Sequence, residues 1–192
     1  MKVLFIHGLA SSGAYKMASS LRILLRPCEV VAPDVPIDPD AALSMLLALR
    51  DEVRPDLVVG LSLGGFWAQK LRGSRKILVN PDFHVSRLLR TKTGENEYLS
   101  PRADGERTFF IDEDICSRYE ALERVQFDCL DNPEIELTRG MFALQDELVH
   151  CGDEFELHYP GRGVSYPGGH LPTFPAGLNV GVFSYFWKLW KK

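Results

Sequence analysis

The sequence predicts an α/β fold: a three-layer α/β/α sandwich with a mostly parallel sheet of about six strands. Short apolar runs alternate with helical patterns up to residue 80, and the alternation resumes near residue 139. The runs at 56–60 and 76–80 are continuously apolar, as strands buried on both faces of a sheet are. Strands that alternate with helices require crossover connections, and such connections produce a parallel sheet.

The elements follow one another in a regular order, interrupted once. Asp40 is placed to cap the second helix, and the helix after Ser62 begins directly at the end of the third strand. Strands are predicted at 2–6, 29–33, 56–60, 76–80, 139–145 and 154–160, and helices at 13–26, 40–53, 64–73, 112–130, near 147–151 and at 173–190.

The interruption spans residues 82–137. This segment carries 14 acidic and 7 basic residues, several turn-forming glycines and prolines, and one strong helical pattern. It is too short and too charged to form an independent domain. We therefore expect one domain over 1–192, with 82–137 as a cap-like insertion over the sheet.

Composition limits the classes of partner. With 192 residues, 45% hydrophobic residues and a net charge of -4, the chain is typical of a globular protein and gives no reason to expect a nucleic-acid partner. The four cysteines lack the C-x-x-C spacing of zinc or redox sites, so reduced thiols in a cytoplasmic protein are expected.

Neither end of the sequence predicts a targeting or spanning segment. The first apolar run is broken at His7, too early for a secretory signal. The apolar run at 178–190 is shorter than a membrane span requires, and it predicts a docked helix. Trp187 and Trp190 on that helix cover the sheet or pair with a second subunit, which leaves a homodimer open.

Residues 60–65, "GLSLGG", contain the pattern G-x-S-x-G. Ser62 is either an ordinary loop serine or a nucleophile on a sharp strand-to-helix turn. Its place between a buried strand and a helix favours the nucleophile. Gly60 and Gly64 fit this interpretation, because such a turn brings backbone segments too close for side chains.

Main-chain donors for an oxyanion are predicted at two positions. The N–H of Leu63 lies at the start of the helix that follows Ser62, where the helix dipole favours negative charge. The segment "HGLASS" follows the first strand and offers the N–H of Leu9 as the second donor. The simpler alternative is that Gly8 only forms a turn.

A serine hydroxyl needs a base, and the base needs a carboxylate that orients it. His170 follows the last predicted strand, which suits the chain order serine, acid, histidine. Asp146 directly follows the strand at 139–145 and is the predicted acid; it can cap a turn as well. Glu147 and Asp153 are the alternatives for the acid, and His7, His84, His150 and His158 are interpreted as structural.

Six segments in this order resemble the α/β-hydrolase fold, and within it the small YqiA-like esterases: "FIHGLASS", "VVGLSLGGFWAQKL", "ILVNPDFHVSRLL", "ENEY", "LQDELV" and "GGH". The resemblance implies a compact hydrolase without the first antiparallel strands of larger members. It places a catalytic triad on Ser62, Asp146 and His170, acting on small-molecule esters with short acyl chains. No metal or organic cofactor is implied.

The insertion is polar and acidic where a lipase lid has an apolar face, which favours soluble esters or thioesters over long-chain lipids. Thioesterases, peptidases and acyltransferases use the same machinery, so the motifs leave these alternatives open. A non-catalytic binding protein on the same scaffold is a further alternative, since fold does not imply function.

Overall fold

The computed structural model describes residues 1–172. Its strands are β1 (Lys2–Ile6), β2 (Glu29–Val31), β3 (Leu57–Leu61), β4 (Lys76–Val79), β5 (Gly94–Glu97), β6 (Thr108–Ile111), β7 (Thr138–Ala143) and β8 (Gly163–Tyr166). Its helices are α1 (Lys16–Leu24), α2 (Pro39–Val53), α3 (Leu63–Lys70), α4 (Val85–Arg90), α5 (Glu113–Arg124), α6 (Asn132–Leu137) and α7 (Gly152–His158).

Six of these strands form one parallel sheet, in the order β2-β1-β3-β4-β7-β8. The predicted α/β class and strand number are therefore confirmed. The remaining two strands, β5 and β6, form a separate antiparallel hairpin.

Both faces of the sheet are buried. In β1, Val3 and Phe5 belong to one apolar cluster, while Leu4 and Ile6 belong to the other. Residues from α1 join the first cluster, and residues from α2, α3, α5 and α7 join the second. Burial on both sides explains why the strand sequences are continuously apolar.

The strand order brings two loops together at the carboxyl end of the sheet. The chain runs from β1 outward to β2 and then returns to the opposite side of β1 as β3. Ile6 at the end of β1 pairs with Gly60 near the end of β3. Loops that leave neighbouring strands at such a reversal form the usual ligand crevice of parallel α/β sheets.

The second helix begins earlier than predicted. Asp38, not Asp40, is its N-cap: the Asp38 carboxylate accepts hydrogen bonds from Asp40 N (3.1 Å) and Ala41 N (2.9 Å). Pro39 occupies the first helical position, where its fixed φ is suitable and its missing N–H costs nothing.

The predictions for 147–160 were wrong. Residues 147–151 form no helix, and the predicted strand at 154–160 is largely α7. Its apolar and polar residues alternate as in a strand, but Phe155 and Tyr159 lie one helical turn apart and are both fully buried, whereas Leu157 is 76% exposed. Within residues 1–172 the last strand is β8, which pairs with β7.

The insertion contains α4, the β5–β6 hairpin, α5 and α6, placed between β4 and β7. The helix predicted at 112–130 is the shorter α5, capped by Asp112, which accepts from Ile115 N (2.8 Å). A buried ion pair between Lys76 of β4 and Glu134 of α6 ties the end of the insertion to the sheet.

The helix predicted at 173–190, with Trp187 and Trp190, lies outside the described residues. Up to residue 172, no helix has the length and apolar character needed to cross a bilayer. All four cysteines are free thiols.

Candidate active site

Ser62 lies at the sharp turn between β3 and α3. Its φ of 55° and ψ of -120° are unusual for a residue other than glycine. The backbone is held on both sides, since Ser62 N donates to Val79 O (3.0 Å) and Ser62 O accepts from Gly65 N (2.8 Å). Ser62 thus has the backbone geometry that the G-x-S-x-G pattern predicts.

The neighbouring glycines are required by close backbone approach. A Cβ at Gly60 would overlap the carbonyl of Gly64, and a Cβ at Gly64 would overlap the carbonyl of Ile6. At Gly8 a Cβ would lie 3.3 Å from Ser62 Cβ. The loop after β1 therefore lies directly against the serine.

Gly64→Ala should lower the free energy of unfolding by at least about 2 kcal/mol, because its methyl group would overlap main chain that cannot move alone. Urea denaturation measures this loss. Gly152→Ala is the control, because its Cβ would make only ordinary contacts with the Phe142 ring at 3.7 Å. Equal stability of the two variants would contradict the prediction.

His170 and Asp146 form a hydrogen-bonded pair. His170 Nδ1 lies 2.9 Å from Asp146 Oδ2 and 3.1 Å from Oδ1. Because a carboxylate only accepts, Nδ1 carries the proton and the lone pair of the neutral ring lies on Nε2. Asp146 Oδ1 also accepts from Leu148 N (2.8 Å) and Val149 N (2.9 Å), so this carboxylate both closes a turn and orients the imidazole.

Ser62 and His170 line the same cavity, which has a volume of about 360 Å³. Among residues 1–172 the Ser62 hydroxyl makes no hydrogen bond, so a serine–imidazole hydrogen bond is not formed in this structure. Catalytic hydrogen bonds are often long without substrate. A larger cavity of about 730 Å³, between residues 97 and 108, contains none of the predicted catalytic residues.

The two predicted main-chain donors flank the serine. Leu9 lines the cavity beside Ser62, and Leu63 is the first residue of α3. Gly8 O accepts a hydrogen bond from His7 Nδ1 (2.8 Å). Because C=O and N–H point in opposite directions across a trans peptide, this bond turns the Leu9 N–H away from His7.

A family model described as "Uncharacterised protein family (UPF0227)" matches residues 2–137, which is most of the chain and includes Ser62 and both predicted main-chain donors. The chain belongs to this family. Asp146 and His170 follow the matched segment. No curated protein matches the sequence.

Solved structures share the fold of this UPF0227 protein. A methylesterase from Arabidopsis superposes with a TM-score of 0.62 at 12% identity, covering 100% of this chain and 99% of that one. A pyrethroid hydrolase from Sphingobium faniae gives 0.59 at 18% identity, covering 98% and 97%. An esterase domain from Rhodothermus marinus gives 0.58 at 17% identity, covering 98% and 85%. The predicted α/β-hydrolase fold and the YqiA-like resemblance are thereby confirmed.

His7 has a structural role in the UPF0227 protein. Its Nε2 accepts from Val35 N (3.0 Å) while its Nδ1 donates to Gly8 O, an arrangement that only the neutral ring can make. Burial lowers the pKa of His7 below its ordinary value. His7 therefore supports the loop after β1 only while it is uncharged.

A pH dependence follows from this neutral imidazole. The unfolded chain binds the His7 proton more readily than the folded one, so the free energy of unfolding should decrease as the pH falls below about 6.5. Urea midpoints measured between pH 8 and pH 5 test this. His7→Gln removes the titrating ring and should give a shallower decrease; an equally steep decrease would contradict the assignment.

The other histidines have separate environments. His84 Nε2 lies 2.7 Å from Glu154 Oε2. His158, predicted in a strand, ends α7 and stacks on Phe127 with ring centroids 3.7 Å apart. His150, predicted on a helix, is exposed and lies outside any helix.

Among residues 1–172, one cluster has side chains close enough to share a metal ion. The ligand atoms of His84, Cys151 and Glu154 lie within 4.8 Å of one another. The histidine and the glutamate already satisfy each other through their hydrogen bond. Burial raises the pKa of the Cys151 thiol to about 11, which disfavours the thiolate that a metal binds. We assign no metal to this cluster.

Two buried residues beside the site, Asn80 and Asp82, follow β4 and were not predicted from the sequence. Burial raises the pKa of Asp82, and its Oδ1 accepts from His84 N (2.9 Å). Asn80 has a positive φ of 42° and hydrogen-bonds to the segment that carries His170. The available signal was "NPD" at the end of the strand beside β3, since asparagine tolerates positive φ.

Proposed function

We propose that this protein is a serine hydrolase that cleaves carboxylic esters with Ser62, His170 and Asp146. The observation that carries the proposal is that a serine on a strained elbow and a histidine oriented by a buried aspartate line one cavity. The hydrolase and esterase names of the structural relatives support the same class of reaction.

The reaction follows from the proposed roles of these groups. His170 Nε2 takes the Ser62 proton while Oγ attacks the ester carbonyl, and the N–H groups of Leu63 and Leu9 stabilise the oxyanion. The C–O bond of the ester breaks, His170 gives its proton to the leaving alcohol, and an acyl-enzyme remains. Water, activated by His170, then releases the acid and restores Ser62. These steps use side chains and backbone amides and require no cofactor.

The walls of the cavity favour an ester with small apolar groups. Three apolar side chains of the insertion, Leu88, Leu99 and Phe109, contribute to the wall around Ser62. The same segment also contributes Lys92, Asn96 and Glu97 to the cavity lining. Residues 82–137 thus act as a cap that presents both apolar and polar side chains to the substrate. A cavity of about 360 Å³ accommodates short or medium acyl chains rather than long ones.

A fluorophosphonate probe tests the proposal, because it reacts only with an activated serine. Peptide mapping should place the adduct on Ser62, and the purified protein should hydrolyse p-nitrophenyl acetate and butyrate. A matched series of acyl-CoA thioesters distinguishes an esterase from a thioesterase. Absence of an adduct at Ser62 would overturn the proposal and favour a non-catalytic scaffold.

A further inference from the structure

Asn80 lies where the loops carrying the two proposed catalytic partners meet. It follows β4 directly, is 2% exposed, and its backbone N donates to Met141 O (2.8 Å) in β7. Its position is therefore set by the sheet itself.

The Asn80 side chain uses both ends of its amide. Oδ1 accepts from Ala143 N (2.8 Å), at the end of β7, while Nδ2 donates to Tyr166 OH (2.9 Å), at the end of β8. Nδ2 also donates to the backbone carbonyl of His170 (2.7 Å). A single buried amide thus joins the segments that lead to Asp146 and His170.

These segments are otherwise joined to each other mainly through main chain. Leu144 N donates to Tyr166 O (2.9 Å) and Gln145 N donates to Gly168 O (2.9 Å). Beyond these bonds, Asp146 orients the His170 ring, and Asn80 donates to the backbone carbonyl of His170. The imidazole is therefore restrained at the ring and at the backbone.

We propose that Asn80 is a positioning residue that sets the His170–Asp146 pair relative to Ser62, an inference that rests on the proposed function. Ser62 N donates to Val79 O, the residue before Asn80, so the same strand end also holds the nucleophile. The end of β4 therefore holds the segments that carry the proposed base, acid and nucleophile in fixed positions relative to one another. An error of about 1 Å in such an arrangement costs about 100-fold in rate.

Asn80→Asp removes the donor to the His170 carbonyl and requires the Tyr166 hydroxyl to change from acceptor to donor. The aspartate has the same shape and tolerates a positive φ. Its carboxylate can still accept from Ala143 N and from the Tyr166 hydroxyl, but it cannot donate to the His170 carbonyl. Asn80→Gly is the second variant: it also suits the positive φ and introduces no charge. Asn132→Asp is the matched control, because Asn132 is exposed at the start of α6.

We expect both Asn80 variants to lower kcat for p-nitrophenyl butyrate by about 10- to 100-fold with little change in KM, because the substrate wall is unchanged. In Asn80→Asp the acidic limb of the kcat/KM profile should also move to higher pH, since a nearby negative charge favours the imidazolium. In Asn80→Gly the limb should stay in place. A loss of folded protein alone would lower activity equally at every pH, and thermal unfolding measures it separately.

Wild-type labelling separates the two hypotheses. If fluorophosphonate labels Ser62 and either folded Asn80 variant keeps the kcat of Asn132→Asp, the positioning role is overturned while the hydrolase remains. If fluorophosphonate does not label Ser62 in the wild type, the hydrolase proposal and the positioning role are both overturned. If Asn80→Asp does not fold, the comparison of kcat between Asn80→Gly and Asn132→Asp tests the positioning role.

Discussion

Ser62→Ala should reduce ester hydrolysis by about 10⁴- to 10⁶-fold, because removing the nucleophile of a triad leaves only oxyanion stabilisation and binding. The alanine keeps the β-carbon and loses only the hydroxyl, which makes no hydrogen bond within residues 1–172. The elbow should therefore keep its backbone geometry. Initial rates with p-nitrophenyl butyrate, together with fluorophosphonate labelling, measure the effect.

Ser19→Ala is a suitable control for this experiment, since Ser19 is exposed on α1. It should retain full turnover and full labelling. The Ser62 variant should unfold at nearly the wild-type temperature, so that its loss of activity is a loss of chemistry. Hydrolysis by folded Ser62→Ala at the wild-type rate would refute the nucleophile.

Asp146→Asn should lower kcat by about 10³- to 10⁴-fold. The asparagine amide can present a donor where the carboxylate accepts the His170 Nδ1 proton at 2.9 Å. The ring would then adopt the opposite tautomer, with its proton on Nε2, and could not accept the proton of Ser62. Single-turnover kinetics with a p-nitrophenyl ester would locate the loss in the acylation step.

The two neighbouring carboxylates serve as controls for the acid. Glu147 and Asp153 are both exposed, and neither hydrogen-bonds to His170. Glu147→Gln and Asp153→Asn should keep kcat within about 3-fold of wild type, as surface substitutions normally do. A large loss in either variant, with Asp146→Asn active, would move the acid to that residue.

The elbow could be predicted from sequence because its causes are local. The spacing of Gly60 and Gly64 around Ser62, and the change from strand to helix, determine the turn within a few residues. Asp146 and His170 were harder: each was placed by its position after a strand. His170 was predicted to follow the strand at 154–160, which is largely α7; in the structure it follows β8 instead.

Other features depend on contacts that a linear pattern does not contain. Phe155 and Tyr159 suit a strand or a helix equally, and only packing on the sheet determines which forms. Asn80 reaches Ala143 and His170 across 63 and 90 residues of sequence. The contribution of the insertion to the cavity was similarly hidden, since its overall polarity concealed the apolar side chains that line the cavity.

The buried ion pair of Lys76 and Glu134 has a consequence for how members of this family can diverge. It secures the far end of the insertion at the start of β4, away from Ser62 at the opposite end of the sheet. Changes at Leu88, Leu99 or Phe109 leave this anchor untouched. Under the proposed function, substitutions of these wall residues can therefore change substrate preference while the ion pair that attaches the segment to the sheet is kept.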